Sequence, residues 1–228
     1  LRSKAIILLS GGLDSTFNFY RGQAELDIVV ALTMDYGQRA LPREVHAAAK
    51  IAAQFRVPHQ VIPFPFLQNL GGSSLVDRDL SVPQGSAVDI QSQKVSESTA
   101  QSVWVPNRNG LFLNAAACFA DRWDAEWVIA GFNAEEAATF PDNSEAFLKA
   151  LDHAFAFSTR NQVKVKCYSL PMNKTEIVAE CLKLKFDFSA IWPCYFAGEK
   201  WCGSCESCLR TQRALKFHKI STEGLFLC

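Results

Sequence analysis

The chain lacks a surplus of charge of either sign. Its 23 Lys and Arg balance 23 Asp and Glu, whereas a protein that grips nucleic-acid phosphates ordinarily shows a basic excess. Direct nucleic-acid binding is therefore not expected. Long hydrophobic runs are missing too. The run Ala5-Ile6-Ile7-Leu8-Leu9 is far shorter than the ~20 apolar residues of a membrane span, and no small-residue cleavage site follows it. The expectation is a cytoplasmic protein with no membrane partner and no secretory leader. Histidine is sparse, and His46, His59, His153 and His218 stand at no metal-ligand spacing; all four are expected to be structural or exposed. Apolar bulk, by contrast, is plentiful. It makes up 49% of the chain, with 17 Phe and 5 Trp, enough in 228 residues for one sizeable core.

A disulfide framework is also absent from the pattern of the eight cysteines. Cys194, Cys202, Cys205 and Cys208 fall within fifteen residues as Cys-x7-Cys-x2-Cys-x2-Cys. Four thiolates so spaced can close a tetrahedron around one zinc ion, with Gly203 easing the turn between ligands. Four sulfur ligands leave no place for water, so such an ion is structural. An iron–sulfur cluster is the rival occupant, since thiolates serve both. Cys118, Cys167, Cys181 and Cys228 are scattered and read as small buried hydrophobes.

Strand-like and helix-like segments alternate. Strands are expected at 4–9, 27–33, 60–64, 126–130 and 162–168, and helices at 13–22, 42–56, 108–122, 144–157 and 173–184. Val45, Ala48, Ala49, Ala52 and Phe55 share one face of the second helix, with Pro42 in its first turn. Asn173 and Glu176 make a capping box for the helix at 173. A polar stretch, 68–103, is too long for a plain connector and reads as a functional or partly disordered insertion. The alternation predicts an α/β fold, a doubly wound Rossmann-like parallel sheet, with a small C-terminal zinc-binding segment. Residues 1–190 form the main domain, and 191–228 hold the cysteine segment and a C-terminal helix packed on it. Ligands of such sheets bind beyond the carboxyl ends of the strands. The loops at 10–15, 34–40, 131–143 and 169–174 are expected to converge there.

The first of these loops reads Ser10-Gly11-Gly12-Leu13-Asp14-Ser15-Thr16. Glycines let the backbone adopt positive φ and bring its amides close to an anion, and the helix that follows aims its N-terminal amides at the same place. Ser10 and Ser15 can donate to phosphate oxygens, and Asp14 can hold a magnesium ion. The lysine of a triphosphatase loop is missing, as is the Gly-x-Gly-x-x-Gly of a dinucleotide site. A tight turn that needs glycine for sterics alone is the plain alternative.

The whole string resembles the pyrophosphate loop of the ATP pyrophosphatases, which cut ATP between its α- and β-phosphates. With the cysteine cluster, the chain resembles the 7-cyano-7-deazaguanine synthase family of queuosine precursor synthesis, from the first strand to about Arg213. "DYGQR" (Asp35–Arg39) with Glu44, "VPNRN" (Val105–Asn109), "NKTEI" (Asn173–Ile177) and "KFDFS" before the cysteines carry the match. The resemblance implies an adenine nucleotide alpha hydrolase-like fold and a carbon–nitrogen ligase. Such an enzyme joins ammonia to 7-carboxy-7-deazaguanine through adenylated acid and amide, leaving a nitrile. It implies ATP, Mg²⁺ and a structural Zn²⁺, and a homodimer. No glutaminase nucleophile motif is visible, so ammonium is the expected nitrogen donor.

Carried over by motif, Leu9, Ser10, Gly11, Gly12, Leu13, Asp14, Ser15, Thr16, Tyr36 and Gln38 would hold the nucleotide. Ser10, Asp14, Ser15, Lys174 and Arg108 would act on the reacting phosphates, and Asn109, Phe140 and Asp142 would meet the acceptor. Lys174 as a solvated lysine, Arg108 as a surface ion pair and Asp142 as a helix-start residue are the plainer readings. The chain departs from the family over Glu135–Ser144. Pro141 and Asp142 are kept, Glu136 stands in place of Asp, Phe140 has no hydroxyl, and Asn143-Ser144 replace a Cys-Arg pair. This loop should border the acceptor, which leaves a second acceptor open: a divergent member joining the acid to another amine or to a protein. A tRNA-modifying ligase and a non-catalytic zinc-stabilised nucleotide module are the remaining alternatives.

Overall fold

A computed structural model describes residues 2–227. Five strands, β1 (Lys4–Leu8), β2 (Asp27–Asp35), β3 (His59–Pro63), β4 (Trp127–Ile129) and β5 (Lys164–Lys166), form one sheet in the order β3-β2-β1-β4-β5. Every pairing is parallel. The central strand is apolar after Lys4 because both its faces are covered: Ala5, Ile6 and Ile7 are fully buried. Alternation then sorts its side chains between two cores. Ala5 and Ile7 join Leu13 and Phe17 of helix α1 (Leu13–Glu25), Ala48 and Ile51 of α2 (Leu41–Gln54), and Ile177 of α8 (Lys174–Lys183). Ile6 joins Leu113 and Ala117 of α5 (Arg108–Arg122) and Phe155 of α7 (Glu145–Ser158) on the other face. Each fully buried Phe or Ile stabilises the fold by about 1.5–3 kcal/mol.

The remaining helices are α3 (Pro65–Asn69), α4 (Gln93–Val103), α6 (Ala134–Ala137), α8 (Lys174–Lys183) and α9 (Glu206–Phe217). Helix α8 starts at the expected capping box, Asn173 and Glu176 exchanging hydrogen bonds with each other's backbone. The 68–103 segment carries α4 and packs Leu75, Val76, Val82 and Val103 out of water. The cysteine segment shares the first core: Cys194, Trp201, Cys205, Cys208 and Leu215 pack with Leu13 and Phe17.

Two expectations change. The buried face of α2 is Ala47, Ala48, Ile51 and Ala52: Ala48 and Ala52 of the expected face are on it, while Ala47 and Ile51 take the places expected of Val45, Ala49 and Phe55. Cys118 is exposed, Cys167 half-buried and only Cys181 of the scattered cysteines is buried, while Cys228 lies outside the described residues. Cys118 stands on the outer side of α5, whose buried positions are Leu113, Ala116, Ala117 and Ala120. Of the histidines, His59 is tied to Thr33 at 2.7 Å and His218 to the Thr175 carbonyl at 2.9 Å.

Candidate active site

The strand order reverses direction between β1 and β4, so the chain leaves these neighbours toward opposite faces and opens a crevice at their carboxyl ends. The loop after β1 enters it. Gly11 has φ +75°, and a Cβ there would stand 2.8 Å from Ala47 Cβ and 3.0 Å from the Ala48 nitrogen; only glycine fits. Gly12, expected to share that conformation, is extended at φ −76° as the N-cap of α1. Its amide points at Ser10 Oγ, 3.3 Å away, and Ser10 and Ser15 hydroxyls face each other at 3.0 Å. From the other side, the loop after β4 presses on the first turn of α1. A Cβ on Gly131 would come within 2.6 Å of the Ser15 nitrogen.

Lys174, the first residue of α8, is buried rather than solvated. Its Nζ donates to Asp14 Oδ2 at 2.5 Å and pairs with Glu136 Oε1 at 2.9 Å. Asn133 Nδ2 donates to the same Asp14 oxygen at 3.1 Å. Burial raises the Asp14 carboxyl to about 6, with the Lys174 ammonium pulling the other way. Burial alone would discharge Lys174, but its two carboxylate partners outweigh it and hold the ammonium above its ordinary range. Burial would likewise raise Glu136, and Lys174 more than offsets that. Asp14 Oδ1 is buried with no hydrogen-bond partner. A buried carboxylate oxygen without a donor is an unmet demand for positive charge.

The second wall comes from β2 and α5. Gln38 accepts from the Tyr36 amide and donates to the Met34 carbonyl and to Glu44 Oε2 at 2.8 Å, so its amide shapes the loop from within. Glu44 is pushed up to about 7 by burial, with Gln38 and Arg108 opposing. Arg108 reaches the Tyr36 hydroxyl at 3.4 Å and lies over the Tyr36 ring. Among the described residues no carboxylate comes within ion-pair distance of its guanidinium. It is a cation left for something else.

These walls enclose one cavity of about 270 Å³. Leu9, Ser10, Gly12, Leu13, Asp14 and Ser15 line it with Tyr36, Gln38, Arg108, Asn109, Phe140, Asp142 and Lys174. Gly11 and Thr16 stand behind it, the one making the turn and the other buried in the first turn of α1. All four loops expected to converge contribute. Asp142 lies in a short 3-10 turn, Pro141–Asn143, ahead of α7, where burial raises its carboxyl against the pull of Arg108. Ser144 caps α7 by accepting from the Phe147 amide.

Sequence reading missed several walls. The Trp104 ring lies parallel to that of Phe140, 6° between planes and 6.0 Å between centroids. Trp192, Pro193 and Tyr195, just before and after the first clustered cysteine, line the cavity, as do Glu206 and Arg210 of α9. Trp192 also donates its amide to the Gly11 carbonyl at 2.8 Å. The only signal available was proximity to motifs in sequence, which says nothing about who faces whom.

The sulfurs of Cys194, Cys202, Cys205 and Cys208 lie within 4.8 Å of one another, Cys202 and Cys208 at 3.8 Å. A tetrahedron with bonds of about 2.3 Å has edges near 3.8 Å. Backbone amides of Cys202 and Phe196 point at Cys194 Sγ, and those of Ser204 and Cys205 at Cys202 Sγ. Gly203 takes φ +72° between them, as the turn requires. Hydrogen bonds from the other three thiols hold Cys202 far below the usual thiol range. The set fits a metal ion.

A family model described as queuosine biosynthesis protein QueC matches residues 4–219 of the chain. A 7-cyano-7-deazaguanine synthase of Bdellovibrio bacteriovorus is 51% identical over 224 residues, covering 98% of this chain and 97% of its own length. Proteins of the same name from Desulforudis audaxviator and Carboxydothermus hydrogenoformans are 46% and 44% identical, each over 92% of this chain and 96% and 97% of their own lengths.

Proposed function

Because the chain belongs to the queuosine biosynthesis protein QueC family, we propose that it is an ATP-dependent carbon–nitrogen ligase turning 7-carboxy-7-deazaguanine and ammonia into 7-cyano-7-deazaguanine. The observation that carries the chemistry is the buried Asp14–Lys174 ion pair, with Glu136 on the same ammonium, built into the Ser10–Ser15 loop. A carboxylate oxygen of the acid attacks the α-phosphate of ATP, pyrophosphate leaves, and the acyl adenylate forms. Ammonia displaces AMP to give the amide. The amide oxygen then attacks the α-phosphate of a second ATP, pyrophosphate leaves, and loss of AMP with the nitrogen's two protons leaves the nitrile. Both rounds begin alike, so one site serves both.

The Gly12 amide, the two serine hydroxyls and the α1 N-terminus suit the departing pyrophosphate. Lys174 neutralises charge that grows as the bond to it breaks, held by its two carboxylates in a place where no reorganisation is needed. Asp14 Oδ1, which has no protein donor, would hold magnesium, which supplies positive charge to the phosphate oxygens. The unpaired Arg108 faces the side where the acceptor's carboxylate would lie, with Asn109 beside it. Phe140, stacked on Trp104, suits one face of a flat base, and Asp142 suits its amidine edge. The four cysteines would hold a structural zinc: four thiolates shared among several irons stand farther apart than 4.8 Å.

Incubation with the acid, ATP and ammonium tests the reading by product mass. A product lighter than the amide by one water is expected. Accumulation of the amide alone, or of a protein-linked base, would instead favour the divergent acceptor that the Glu135–Ser144 loop leaves open.

A further inference from the structure

Lys174 is gripped twice by the loop after β4. Glu136 takes its ammonium, while Glu135 Oε1 accepts from its backbone amide at 2.9 Å. That amide is one of the donors a helix start leaves without an intrahelical partner. Glu135 does not stand alone. Arg210 Nη1 donates to its Oε2 at 2.9 Å and Arg213 Nη2 to its Oε1 at 2.5 Å. Arg210, only 8% exposed, spends Nε and Nη2 on Glu206 Oε1 at 3.0 and 2.7 Å. Glu206 Oε2 accepts from Thr99 of α4 at 2.7 Å.

Four elements, α4, α6, α8 and α9, therefore meet in one buried ion network. A buried network of this kind contributes little to stability compared with apolar packing, while loss of one member is costly. Its geometry says what it can do. Glu135 is both the partner of Arg210 and the acceptor for the first amide of α8, one residue before the carboxylate that holds the lysine head. Helix α9, which carries Arg210, has Cys205 as its N-cap and Cys208 in its first turn.

We propose that Arg210 is a positioning residue for Lys174: by holding Glu135 against the first amide of α8, it fixes the lysine ammonium against Asp14 and makes the cysteine-anchored helix part of the catalytic device. The effect on rate rests on the adenylation reading given above; the effect on the amide does not.

The test uses the full-length, metal-loaded protein with Arg210→Lys, which keeps the charge but cannot span Glu135 and Glu206 together, and Glu135→Gln. Hydrogen exchange at the Lys174 amide should accelerate at least ~10-fold in both, with β1 and α5 as protected as before. Acid-dependent ATP–pyrophosphate exchange, run without ammonium, should lose about 10- to 100-fold in kcat with KM for ATP within about twofold, since a misplacement on the order of 1 Å suffices for that. Free guanidinium should restore part of the rate of Arg210→Ala. An unchanged Lys174 amide in both variants overturns the proposal, and so does a loss of rate that follows a general loss of protection across the sheet. If the wild-type protein itself shows no pyrophosphate exchange, the adenylation reading fails while the amide measurement still decides the strut.

Discussion

Lys174→Met is expected to lower ATP-dependent turnover by at least ~10³-fold, a loss of about 4 kcal/mol of transition-state stabilisation. The substitution keeps the buried stem and removes only the charge. It also leaves the buried Asp14 carboxylate beside the half-buried Glu136 carboxylate with no cation between them. The pH profile should report this separately from rate. Asp14, at about 6 in the intact site, must be ionised to hold magnesium, so wild-type adenylation should fall as pH drops through that value. Lys174 is what pulls Asp14 down; without it the acid limb moves to higher pH. An acid limb that stays in place in Lys174→Met would mean that Asp14 does not govern it.

Removing the metal is the second large perturbation. A structural zinc contributes roughly 10–16 kcal/mol of binding free energy that is also folding free energy. Here the segment that the ion would organise supplies Trp192, Pro193, Tyr195, Glu206 and Arg210 to the cavity and pins the Gly11 carbonyl through the Trp192 amide. Chelation, or Cys202→Ser, should therefore cost activity as well as stability. The expected result is metal content falling to zero, loss of activity of more than ~100-fold and loosened packing around Trp201, with the sheet's α5 face retained. Restoring zinc to the chelated protein should restore both. Metal-free protein that turns over at the wild-type rate would show the cysteine segment to be irrelevant to the site.

What could be read from residues alone follows from how local each signal is. Ala5–Leu9 and the capping box at Asn173 are local patterns with one structural solution, and β1 and α8 form where expected. The loop glycines were half legible. Gly11 takes φ +75°, and a Cβ there would also stand 2.8 Å from Ala47 of α2, a tertiary fact that no local pattern carries. Lys174, Asp14 and Glu136 lie far apart in the chain, and their motifs hinted at the first two only. Trp104 stands outside the quoted motifs, and Glu135 and Arg210 stand inside motifs that assign them no role. Their roles exist only where α4, α6 and α9 meet, and no periodicity in the chain encodes that meeting.

The central claim is that the loop after β1 receives the pyrophosphate of ATP while AMP passes to an acceptor oxygen. Phosphorus NMR of a reaction with the acid, ATP and ammonium reads this directly. AMP and pyrophosphate should appear in equal amounts, rising with the nitrile. ADP and orthophosphate in their place would contradict the account.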